Sequence, residues 1–236
     1  MQRHPFIKPL LSTFLCAWAT HTSALAPRMD ATEVSIAAFA QFADATGFVS
    51  LAEQQGGGFE YVGGWQRRAG WTWRSPNGQA QANPQLPAVH LTFDEAQAYC
   101  HWAGGQLPTY QQWAAAAYTE QRTQPSDGFV TGTTYTYPTG HSGLGANTSG
   151  PDAWPTAAPV GHTKRGVNGL YDMGANVWEW TTTAKGEARQ TAGGSWWYPA
   201  SQMRDGIEAF KSKDFYAVYI GFRCMNVPPS PKRANA

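Results

Sequence analysis

The chain has 236 residues, with 17 Lys+Arg against 16 Asp+Glu and a formal charge of +1. Only 14% of residues are charged and no basic run occurs, which excludes a nucleic-acid binder, because phosphate neutralisation needs clustered Lys and Arg. Eleven Trp, ten Tyr and eleven Phe beside 25 Gly and 16 Pro describe one aromatic, loop-rich domain rather than a disordered chain or a bundle of long helices.

Residues 1–26 read as a signal peptide. Arg3 and Lys8 make a positive start, and the stretch from Pro9 to Ala19 is mostly apolar yet too short to span a bilayer. Ala24-Leu25-Ala26 offers a small-x-small cleavage site, with Ala17-Trp18-Ala19 as a second choice. The competing reading is a buried N-terminal strand or helix. No later segment is apolar for long enough to cross a membrane, so the mature chain is expected in the periplasm or outside the cell. Cleavage removes Arg3 and Lys8, leaving 15 basic against 16 acidic residues, a charge of −1. It also removes Cys16 and leaves Cys100 and Cys224. Two thiols in an oxidising compartment are most simply a disulfide; two unpaired buried thiols would instead require a reducing one.

Three helices follow. Ser35 is a good N-cap for 36–46, where Ile36, Phe39, Ala40 and Ala43 share a face and Gly47 ends the helix. Thr92-x-x-Glu95 is a capping box opening 93–103, stopped by Gly104-Gly105. Thr109-x-x-Gln112, just after Pro108, opens a third from Tyr110 to about Glu120. The remainder reads as strand and loop: Gln54 to Gly64 is Gly-rich, Trp65, Trp71 and Trp73 crowd together, and 121–160 shows no sustained period. So long an irregular stretch is usually functional, or held by something other than a strand ladder. Residues 227–236 read as a disordered tail, and the mature domain as 27–226.

The common catalytic motifs are absent: there is no H-E-x-x-H, C-x-x-C, phosphate-binding glycine loop or G-x-S-x-G. His90, His101, His141 and His162 lie far apart without ligand-like spacing and read as structural. Hard oxygen donors, the kind calcium takes, gather at Asn147-Thr148, Asp152-Ala153-Trp154 and from Asp172 to Glu179. Asp and Asn in such loops also serve simply as turn formers.

The order of motifs resembles a known family. Glu33-Val34-Ser35 precedes the first helix; Tyr99-Cys100-His101-Trp102-Ala103-Gly104, Gln106-Leu107-Pro108-Thr109 and Trp113 follow. Then come Ala146-Asn147, Ala158-Pro159-Val160-Gly161, Asn168-Gly169-Leu170-Tyr171-Asp172-Met173, Asn176-Val177-Trp178-Glu179-Trp180, Gly193-Gly194-Ser195-Trp196 and Gly221-Phe222-Arg223-Cys224. In this series, over roughly residues 30 to 226, the chain is similar to the formylglycine-generating enzymes, the sulfatase-modifying-factor family. The resemblance implies an α+β, C-type-lectin-like fold with little regular secondary structure, and a disulfide between Cys100 and Cys224. It implies two structural calcium sites. One would use the side chains of Asn147 and Asp152 with the backbones of Thr148 and Trp154; the other, the side chains of Asp172 and Glu179 with the backbones of Ala175 and Val177.

The resemblance breaks at the catalytic thiols. The copper-dependent enzymes carry S-x-x-C-x-x-x-x-C after the paired glycines, because thiolates hold copper(I) and oxygen ligands do not. Here Ser195 is followed by Tyr198 and Met203 at the two thiol positions. An Asn of the family's pocket, five residues before the closing Cys, is Tyr219, whereas Trp178 is retained. Copper is therefore not expected, nor formylglycine synthesis. The exported relative nearest in character is the one that matures the pyoverdine chromophore by oxidising a peptide precursor. The reading is a monomeric oxidative tailoring enzyme for a peptide or peptide-like substrate. Its pocket is expected from Trp178, Ser195, Trp196, Trp197, Tyr198, Met203 and Tyr219, with Glu208 or Asp205 as base. The alternative is a non-catalytic calcium-stabilised binding module, since fold does not fix function.

Overall fold

Each expected helix forms where its caps place it, in a computed structural model that describes residues 28–226. After a short strand β1 (Arg28–Met29), helix α1 (Ile36–Thr46) starts on the Ser35 hydroxyl, which accepts from the Ala38 amide, and ends at Gly47 with φ +68°. Helix α2 (Leu51–Gln54) is a single turn opened by a Ser50–Glu53 capping box. Strands β2 (Gly57–Tyr61) and β3 (Trp65–Ala69) make an antiparallel hairpin. Helix α3 (Phe93–Trp102) begins on the Thr92–Glu95 box; β4 (Gly105–Gln106) follows, then α4 (Tyr110–Tyr118) on the Thr109–Gln112 box. The third helix thus stops two residues short of the expected Glu120, where the Thr119 backbone turns extended.

From 119 to 177 the backbone is turn and bend apart from a 3-10 turn at Val167–Gly169 and isolated bridges. The chain then enters β5 (Trp178–Lys185) and β6 (Ala188–Ala192), a second 3-10 turn at Ala200–Met203, and β7 (Ala209–Ser212), β8 (Ile220–Gly221) and β9 (Met225–Asn226). The larger sheet runs β7-β6-β5-β8, with β5 and β8 parallel; a second sheet runs β1-β9-β4. This is the expected α+β architecture with little regular structure. The expected signal segment and tail, residues 1–26 and 227–236, lie outside the described residues. Among the described residues no helix is long and apolar enough to cross a membrane.

Aromatic rings fill the main core. Phe39 of α1 meets Tyr99 of α3, Trp73 and Phe222 at centroid distances of 5.5, 4.8 and 6.3 Å. Fully burying one such side chain contributes about 1.5–3 kcal/mol. The three fully buried indoles have partners for their N–H groups: Trp73 donates to Glu53, Trp113 to Glu179 and Trp180 to the Leu91 carbonyl, whereas the buried Nε1 of Trp196 has none. Cys100 of α3 and Cys224, just before β9, are bonded with their Cα atoms 5.5 Å apart.

Candidate functional site

The parallel pairing of Trp178 with Ile220 brings two expected site residues together, because the Trp178 amide donates to the Tyr219 carbonyl at 2.9 Å. Strand β6 then delivers the chain into Gly193-Gly194-Ser195. Gly193 has φ +81°, and a Cβ there would stand 2.6 Å from the Cα of Gly174; only glycine lets these two backbones meet. Ser195 is buried, and its hydroxyl accepts from the Trp197 amide while its carbonyl accepts from the Tyr198 amide. The resulting turn points Tyr198 at the buried pair. Its ring lies 5.7 Å from Trp178 and 5.9 Å from Tyr219, both edge-to-face. Trp197 sits 6.3 Å from Tyr219 on the outer side and 5.0 Å from Trp196. Burial, with the Tyr198 phenol beside it, pushes the Tyr219 phenol up, so it stays protonated.

Met203 does not join this group. The extended Pro199 and the 3-10 turn after it carry Met203 into a separate apolar cluster with Ala146 and Ala175, and its carbonyl accepts from the Tyr118 hydroxyl at 2.8 Å. Asp205 likewise faces elsewhere, accepting from the Tyr110 hydroxyl at 2.9 Å, and burial helps push that phenol up to about 12. Trp178, Ser195 and Tyr219 are buried, so they do not form an open pocket surface. A cleft of about 340 Å³ lies between Trp196 and Trp197 on one side and Ser149, Gly150 and Trp154 on the other; of the expected pocket residues only Trp196 and Trp197 line it, and Tyr198 does not. The Ser149 amide donates to the Tyr198 carbonyl at 2.9 Å, which fastens the two walls together.

That second wall is the expected first calcium loop. Asn147 is fully buried; its Nδ2 donates to the Thr156 carbonyl and to Asn176 Oδ1, while its Oδ1 has no hydrogen-bond partner. A buried acceptor left unmade calls for a missing donor or cation. The Asp152 carboxylate, tied back to the Thr148 and Trp154 amides at 2.9 Å each, is in the same loop. The chemistry of this donor set fits a hard cation with oxygen ligands.

The expected second set is engaged differently. Glu179 meets Arg223 through both oxygens, at 2.7 and 2.8 Å, and also accepts from Trp113 Nε1. Asp172 accepts from the Gly161 amide and the Thr163 hydroxyl, and the Ala175 amide donates to the Asp172 carbonyl. The Val177 amide donates to Glu33, a buried carboxylate that sequence reading placed only as a family signature and not in a site. Burial, with Asp172 and Glu179 nearby, pushes Glu33 well above the usual carboxylate range. Asn176 links the two sets: its Nδ2 donates to Glu33 at 2.8 Å and its Oδ1 accepts from Asn147 and from the Ala158 amide. Among the described residues no three His, Cys, Asp or Glu converge as a metal cage. The fit to a cation therefore rests on the orphaned Asn147 oxygen.

Comparison with known proteins follows the same lines. The sulfatase-modifying factor enzyme 1-like domain matches residues 18–227. The formylglycine-generating enzyme of Bos taurus is 28% identical over 83% of this chain, which spans 64% of that protein, just under two thirds of its length. The hercynine oxygenase of Mycobacterium tuberculosis is 35% identical over 51% of this chain and 30% of its own. Among solved structures, PvdO of Pseudomonas aeruginosa superposes with a TM-score of 0.59 at 21% identity, covering 84% of this chain and 78% of PvdO, a likeness of fold.

Proposed function

The chain belongs to the sulfatase-modifying factor enzyme 1-like family, and from that premise we propose that it is an exported, monomeric tailoring enzyme that oxidises a peptide or peptide-derived, siderophore-like substrate without a thiol–copper centre. The observation that carries this reading is Tyr198. It occupies a position where copper-dependent relatives need a thiolate, yet its ring is built into an ordered aromatic group with Trp178 and Tyr219, and its carbonyl accepts from the amide of Ser149, a residue of the cleft wall. Both cysteines of 28–226 are bonded to each other, which leaves no free thiol for copper(I) among the described residues. The oxidative character of a relative, hercynine oxygenase, supports the reaction class.

In this reading Trp196 and Trp197 hold the substrate by stacking, since flat faces suit amide planes and aromatic groups. Tyr198 and the protonated Tyr219 pack beneath the turn that carries these two indoles and hold it in place. Calcium at the Asn147–Asp152 loop fixes the opposite wall; when bound it supplies positive charge and rigidity, not redox chemistry. The Cys100–Cys224 bond is proposed to form on export.

The test is incubation of the purified mature protein with a panel of tyrosine-containing peptides and peptide siderophore precursors under dioxygen, read by mass. Loss of two hydrogens in the substrate, abolished by Trp197→Ala, is the expected result. An aldehyde formed from a Cys-x-Pro-x-Arg peptide with added copper would overturn it. Tight peptide binding with no mass change would assign a non-catalytic module instead.

A further inference from the structure

A second groove, of about 690 Å³, lies between β1, α4 and the 3-10 turn at Val167–Gly169, and shares no lining residue with the aromatic cleft. Its volume is within the ordinary range for small-molecule sites, about 300–1,000 Å³. Ala115 and Ala116, two small side chains of α4, leave room over Leu170 and give it an apolar floor. Arg28, Arg122 and Arg165 stand around that floor, and among the described residues no Asp or Glu lines it.

Two of these arginines are brought together deliberately by the local backbone. Arg122 is fixed by Glu120, fully buried, through Nε and Nη2 at 2.8 Å each. That leaves Nη1 directed past Gly169 with a 3.4 Å contact to Ser126. Arg165 reaches the same point, its Nε donating to the Gly169 carbonyl at 3.3 Å. A Cβ at Gly169, where φ is +73°, would stand 2.8 Å from Arg165 Nη2 and 3.1 Å from Arg122 Nη1. The glycine thus makes space for two guanidinium groups to converge. Glu120 already compensates the Arg122 charge, so the charge open to the groove is that of Arg165, with Arg122 Nη1 adding N–H donors beside it. The nearest carboxylate to Arg165, Asp127, is 3.9 Å away, and both side chains are 47% exposed, so that pair compensates little. Planar guanidinium forks match carboxylate and phosphate oxygens.

We propose that this groove binds an amphipathic anion, with a carboxylate or phosphate head held by Arg122 and Arg165 and an apolar body laid on the alanine floor of α4. The site is independent of the aromatic cleft. Its test is titration calorimetry of the full mature chain with decanoate and with decyl phosphate, using decanol and decyltrimethylammonium as probes of the apolar body alone.

Saturable binding of at least one acid is expected, and the tighter of the two names the head group. Arg165→Gln should weaken it about tenfold or more, because a charge-assisted pair is lost. Arg165 is half-exposed, so this variant is expected to fold, with an unchanged circular dichroism spectrum as the check; Arg165→Lys should retain part of the affinity. Trp197→Ala should leave binding unchanged, which separates this site from the proposed active cleft. Equal affinity for decanol, an unaltered dissociation constant in Arg165→Gln, or no saturable binding of either acid would overturn the proposal.

Discussion

The three long helices and the stretch from 119 to 177 reach order by opposite routes. Helices α1, α3 and α4 carry their start signals within three residues of their first turn, and their apolar faces do the rest. The irregular stretch has no ladder of its own. Its shape is set by buried and half-buried polar side chains reaching across the chain: Glu33 to Asn176 and Val177, Asn147 to Asn176, Glu120 to Asn168, and the half-buried Asn168 to the carbonyls of Ala116 and Thr119. The first route tolerates the loss of any one cap. The second places most of its order on a few groups that have no substitute, and the candidate cleft and the arginine groove are both built on it.

Mutations separate the two routes by size. Arg223→Ala should be the most damaging, by about 3–5 kcal/mol in urea unfolding, because it leaves Glu179 buried without its counter-charge and removes the donor to the Tyr171 carbonyl of the irregular stretch; a loss no larger than that of a helix cap would erase the contrast. Calcium comes next. At a hundredfold excess over its dissociation constant it should stabilise the wild type by about 2.7 kcal/mol, and Asp152→Ala should abolish the response. An unchanged melting temperature on chelation would show that hydrogen bonds alone hold the loop.

Glu120→Gln should cost about 1–3 kcal/mol at neutral pH by unpairing Arg122 and weakening the hold on Asn168. The hydrogen bonds from Arg122 lower the Glu120 carboxyl from 4.5 to about 2, so its stabilisation is complete above 4.5 and fades as pH falls toward 2. The glutamine variant should therefore show a flatter acid limb in unfolding midpoints measured across that window. Smallest of all, Thr92→Ala should cost about 1 kcal/mol, with the unfolding slope unchanged.

The same division explains what could be read from the sequence. Ser35, Thr92, Thr109 and Gly47 mark helix ends by local chemistry, and the structure puts each at the end expected. Ser50 and Glu53 carry the same signature, but a single turn has too little apolar pattern to display it. The β2–β3 hairpin was visible only as a Gly-rich stretch, because its register depends on a turn through Val62, Gly63 and Gly64 with no alternating run on either side. Glu33 is the clearest omission from the site. Its partners are 143 and 144 residues away, and nothing local distinguishes it from a surface glutamate before a helix. Tyr198 and Met203 are five positions apart in a motif whose spacing suggested one pocket; Pro199 and the turn after it send them to different clusters.

Strand β9 lies between β1 and β4, with Asn226 opposite both Arg28 and Gly105. The first and last described residues are thus direct neighbours, sealed into one small sheet. A circular permutant that joins 226 to 28 through a short linker and opens at Gly63–Gly64, on the tip of the β2–β3 hairpin, would keep every strand pairing while moving the new ends away from the arginine groove. Attachments made directly at residues 28 and 226 emerge beside that groove; those made through the hairpin tip emerge beside the exposed Trp65 and Tyr61 instead.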